Sequence, residues 1–88
     1  PTVSVSAMAW DFTKASYSNF AKWVTIMAPG GDQETFGTEG GVLSTMPKAK
    51  VASGYGYLQG TSMACPHVSG IAGLIALRNA RKIKQGRI

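Results

Sequence analysis

The sequence predicts an α/β fold in which short strands precede one central, buried helix. Three observations carry this. Thr2 to Met8 alternates β-branched and small residues, Lys22 to Met27 is a nearly continuous apolar run, and Ser62 to about Arg81 is helical with no polar face from Val68 to Leu77. The chain has 88 residues, which make one small domain at most with a modest core.

Each element has its own signal. Val3, Val5 and Ala7 alternate along the first strand. Trp10 to Asn19 is turn-like, with Asp11, Ser16, Ser18 and Asn19 offering local hydrogen bonds. The second strand, Lys22 to Met27, reads as part of a sheet covered on both faces and stops at Ala28-Pro29-Gly30-Gly31. Asp32 to Gly41 is polar and glycine-rich, hence loop. Gly41 to Met46 and Tyr55 to Gln59 read as two short strands, joined by about eight residues that include Pro47, Lys48 and Lys50. A short β-hairpin is the simplest arrangement. From Ser62 the pattern is helical, and Pro66 fits only if it falls in the first turn, where its missing N–H is not required. Val68, Ile71, Leu74, Ile75 and Leu77 leave no polar face before Arg78, which predicts burial.

Composition excludes several classes. Leu58 to Leu77 carries no formal charge, but Gln59, Ser62, Pro66, His67, Ser69 and three glycines argue against a membrane span. Pro1 to Ser6 lacks a basic start and an apolar run, so no signal peptide is expected there. The single cysteine, Cys65, excludes a disulfide within the chain. Net charge is +5, and Arg78, Arg81, Lys82, Lys84 and Arg87 crowd the last eleven positions. Without interleaved aromatics they read as a solvated helix end and not as a nucleic-acid site.

Gly60-Thr61-Ser62 lies where a strand hands over to the helix. A serine there sits at the positive end of the macrodipole, beside N–H groups with no intrahelical partner. An oxyanion formed by its attack on a carbonyl could accept the Ser62 N–H, and Gly60 lets a substrate backbone come close. A bare Gly-Thr-Ser is more often an N-cap. The longer string Gly60-Thr61-Ser62-Met63-Ala64-Cys65-Pro66-His67-Val68-Ser69-Gly70 shifts that balance. It resembles the serine signature of the subtilases, GTSMAxPHVxG, at every specified position. Ser16-Tyr17-Ser18-Asn19-Phe20 is similar to the family's turn, Trp23 to Gly30 to its strand ending in APG, and Leu43-Ser44-Thr45 to its I-x-S-T strand.

The resemblance implies a doubly wound, mostly parallel sheet and a serine endopeptidase acting through an acyl-enzyme on Ser62. Gly60, Thr61 and Met63 would border the oxyanion and substrate cleft. The family order is Asp, His, oxyanion Asn, then Ser, so the first three are expected upstream of Pro1. Residues 1–88 are then the C-terminal fragment of one catalytic domain, incomplete at both ends and inactive alone. Its partners would be a polypeptide substrate and the remainder of the domain, with no nucleic acid and no membrane. The alternative is a catalytically inactive subtilase-like binding or regulatory module. Family habit implies an extracellular or cell-envelope location.

His67, five residues after Ser62, lies roughly 140° around the helix from it and cannot be its general base. The resemblance makes it a structural histidine, expected buried and hydrogen-bonded. Cys65 is expected to be a small buried residue, not a nucleophile. No cofactor or metal is expected in this chain, although calcium is possible in the intact enzyme. Asp32, Glu34 and Glu39 could form a loop cation site, but the spacing does not match an EF-hand.

Overall fold

The structure, a computed structural model, describes residues 2–19 and 21–86. Phe20 of the turn motif and Arg87 of the basic cluster lie outside the described residues, as do Pro1 and Ile88. Two small sheets and three helices follow one another along the chain. They are β1 (Val5–Met8), β2 (Ile26–Pro29), α1 (Gln33–Phe36), β3 (Val42–Thr45), β4 (Tyr55–Leu58), α2 (Thr61–Arg78) and α3 (Ala80–Lys84), with a 3-10 turn at Thr38–Gly40.

β1 and β2 pair in parallel, in the register Val5–Ile26, Ser6–Met27, Ala7–Ala28 and Met8–Pro29. Proline is tolerated there because Pro29 closes the strand, where a missing donor breaks no further ladder bond. Between the strands the chain folds back on β1: Met8 bridges Lys14, and Ser18 Oγ accepts the Ala7 N–H at 3.0 Å. β3 and β4 form the expected antiparallel hairpin, with Val42 opposite Leu58 and Thr45 opposite Tyr55. The mixed helix and strand content matches the predicted α/β class.

Several expectations need correction. The second strand starts at Ile26 rather than Lys22, and its faces are not both covered: Trp23 is 74% and Ile26 46% exposed. The polar stretch read as loop holds α1, because the Asp32 side chain accepts the Thr35 N–H and caps a single turn. Pro66 is the sixth residue of α2, beyond the first turn, so the Ser62 carbonyl loses the N–H that would ordinarily meet it. The long helix stops at Asn79, whose side chain bonds the Ile75 carbonyl, and a short α3 follows.

The core is small. Ala7, Ala15, Ala28 and Ala64 form it, with Val5, Tyr17 and Val68 packed at its edge. Small side chains let α2 lie directly on the β1–β2 pair. Beyond Val68 the helix has no cover: Ile71, Leu74, Ile75 and Leu77 are 56–75% exposed. Burial of α2 is therefore not a property of these residues alone, since none of the described elements reaches that flank. The radius of gyration, 15.7 Å, says the same. A compact chain of this length would have about 12 Å. No described helix is long and apolar enough to cross a membrane.

Candidate active site

Gly60 begins α2. Its φ of 147° and ψ of 162° lie in a region closed to residues with a Cβ, so glycine is required. The Gly60 carbonyl accepts the N–H of Met63 at 3.0 Å and, more weakly, of Ala64 at 3.4 Å. Among the described residues the N–H groups of Thr61 and Ser62 find no acceptor. Ser62 is exposed, and its hydroxyl is likewise uncommitted. Two free amides and a free hydroxyl thus share the positive end of an 18-residue helix.

A hollow of about 360 Å³ opens beside Ser62. The first turns of α2 supply Ser62, Met63, Pro66 and His67, and the hairpin supplies Val42, Leu43, Ser44 and Leu58. Its walls are mainly apolar, with Ser44, Ser62 and His67 the polar members.

The segment Gly30 to Gln33 holds the start of α2 in place. Gly60 N–H donates to Gly30 O at 2.9 Å, and Gln33 N–H to Gln59 Oε1 at 2.7 Å. Tyr17 reaches the same segment, with its hydroxyl 2.9 Å from Gly30 O and 2.8 Å from Gly31 O. Gly30 must be glycine for want of space. A Cβ there would lie 2.5 Å from Ala7 Cβ, 2.7 Å from Gly60 O and 2.9 Å from Tyr17 Oη.

Asp32 anchors that segment. It is 2% exposed, and its carboxylate meets Ser16 N, Ser16 Oγ, Thr35 N and Thr35 Oγ1 at 2.9–3.1 Å. Burial works to raise its pKa, but the hydrogen bonds from Thr35 and Ser16 outweigh it and hold the carboxyl below its usual range. The stabilisation is therefore present above the unfolded-state value of about 4 and is lost as pH falls through the lower folded value. Asp32→Asn in the full-length protein should lower the unfolding temperature at neutral pH, with the gap to wild type closing in acid. Melting curves across pH check this; a gap independent of pH would contradict it. Burial raises the Tyr17 pKa, and the Asp32 charge adds to that, against a lowering by the Gly60 N–H. The phenol accordingly stays protonated.

His67 and Cys65 do not behave as expected. Both are exposed, because nothing in the described residues covers the outer side of α2. His67 is hydrogen-bonded as foreseen: its Nδ1 is 2.7 Å from Met63 O. A carbonyl only accepts, so the proton must sit on Nδ1. His67 and Ser62 line one hollow, yet no hydrogen bond joins them. Asp11 accepts from Thr13 within its own turn, and Asp32 caps α1. Among the described residues no three His, Cys, Asp or Glu side chains are grouped to hold a metal ion. The role of Tyr17 escaped the sequence reading, because its contacts join residues thirteen and fourteen positions apart.

Comparison with known proteins is consistent with these features. Residues 2–84 match the Subtilase family. A thermophilic serine proteinase of Bacillus sp. (strain AK1) is 39% identical over 70 residues, covering 80% of this chain and 14% of that protein. An extracellular protease of Xanthomonas campestris pv. campestris is 36% identical over 76 residues (83% of this chain, 12% of that protein). An intracellular serine protease of Paenibacillus polymyxa is 38% identical over 73 residues (83% and 18%). The chain thus spans under a fifth of the length of each of these curated relatives. No solved structure matches it significantly.

Proposed function

Because the chain belongs to the subtilase family, we propose that the protein is a serine endopeptidase in which this chain supplies the nucleophile, Ser62. The observation that carries the proposal is an accessible serine hydroxyl beside two N–H groups at the start of a long helix, all three without a partner among the described residues. Ser62 Oγ attacks the peptide carbonyl carbon while a histidine elsewhere in the protein takes its proton, and an aspartate orients that histidine. The carbonyl oxygen gains negative charge and accepts the Ser62 N–H, aided by the helix dipole. The C–N bond then breaks, the imidazolium returns the proton to the leaving amine, and water releases the acyl group from Ser62.

Gly60 and Thr61 border the cleft in this reading, and Gly60 carries no side chain to obstruct a substrate backbone. Met63 and the apolar hollow lie beside the leaving-group side. His67 takes no part as base, since it lies roughly 140° around the helix from Ser62 and no hydrogen bond joins the two. In the whole protein the parallel β1–β2 pair would extend into a doubly wound sheet, whose remaining elements would cover the bare flank of α2. The substrate is a polypeptide. Secretion accords with the extracellular protease among its relatives, and the intracellular one marks the alternative.

A fluorophosphonate probe tests the proposal. The full-length protein should be labelled, and peptide mapping should place the adduct on Ser62. Labelling at another serine would sink the nucleophile assignment, and no labelling at all would favour the inactive binding module.

A further inference from the structure

We propose that Tyr17 is a positioning residue for the nucleophile, its hydroxyl holding the two glycine carbonyls on which the start of α2 is seated; this rests on Ser62 being the attacking group. Tyr17 is itself firmly fixed. On one side of it, Ala15 N–H bonds Ala7 O. On the other, Ser18 Oγ accepts the Ala7 N–H. Both neighbours are buried and tied to β1, so the ring is presented from a rigid edge and not from a mobile loop.

The hydroxyl has one proton and two acceptors, Gly30 O at 2.9 Å and Gly31 O at 2.8 Å. Gly30 O has a second donor, the Gly60 N–H. Gly31 O has none: among the described residues Tyr17 is its sole partner, and Gly31 is buried. An unmet buried carbonyl is costly, so without the hydroxyl Gly31 would turn to find another donor. Gly31 has a φ of 82° and the freedom to do so. Its peptide is continuous with Gly30, and Gly30 meets Gly60, two residues before Ser62. A shift at Gly31 is thereby passed through one covalent link and one hydrogen bond to Gly60, and along the chain to Ser62.

Tyr17→Phe removes a single oxygen and keeps the ring that packs on the alanine core, so the variant should fold. The experiment uses the full-length protein and two readouts, the rate constant for fluorophosphonate acylation of Ser62 and the kcat and KM for a peptide substrate. Misplacing a reacting group by a fraction of an ångström should lower both kcat and the acylation rate about tenfold and leave KM nearly unchanged. Tyr55→Phe, an exposed tyrosine on the hairpin, should match wild type in both. A merely structural Tyr17 would lower the melting temperature and leave the acylation rate untouched well below it. Equal acylation of wild type and Tyr17→Phe would overturn the inference alone. A wild-type protein that takes no label at Ser62 would remove the reading beneath it as well.

Discussion

Replacing Ser62 by alanine in the full-length protein is expected to reduce kcat by on the order of 10⁶-fold, the loss established for subtilisin, a member of the same family, and carried over from it. The hydroxyl is exposed and makes no hydrogen bond to the described residues, so alanine removes no structural contact. Stability should therefore change little, since an exposed helical serine and alanine differ by a few tenths of a kcal/mol, in favour of alanine. The combination is diagnostic: abolished turnover with an unchanged melting temperature. A variant retaining a tenth or more of wild-type activity would mean that another group makes the acyl-enzyme.

Gly30→Ala should have the next largest effect. The added methyl would come within 3 Å of three groups: Ala7 Cβ, Gly60 O and Tyr17 Oη. Two of these are rigid, one on β1 and one in the backbone that starts α2. Relief would require β2 to separate from β1 or Gly60 to move away, and overpacking of this kind costs about 1–3 kcal/mol. Both stability and activity should fall together, unlike Ser62→Ala. Thermal unfolding and peptide turnover of the two alanine variants, measured side by side, check the expectation. An equally stable Gly30→Ala would show that the seat is looser than the distances imply.

What could be read in advance follows the range of the interactions concerned. Local periodicity marked β1, the hairpin and α2, because each depends on spacings of a few residues. The helix α1 was missed since four residues carry no period; only Asp32, acting as a cap, reveals it. His67 was expected inside by family resemblance, and Cys65 as a small residue in the first turn of an apolar helix. Apolar character states what a helix requires, not what is present to meet it, and both residues are exposed. At the site, Ser62 and Gly60 were legible through their place between strand and helix and through the eleven-residue signature. Tyr17, Gln59 and Asp32 were not, as their bonds span from 13 to 26 positions, apart from the local cap to Thr35.

One end of α2 is fastened through Gly60, and the other lies bare. At 1.5 Å per residue the helix is a rod about 27 Å long. A tilt of about 5° about Gly60 would carry the far end more than 2 Å, yet Ser62, roughly 3 Å from the pivot, would move only about 0.3 Å. The reactive oxygen sits at the fulcrum. Whatever presses on the distal turns, the serine is the part of the rod that feels it least.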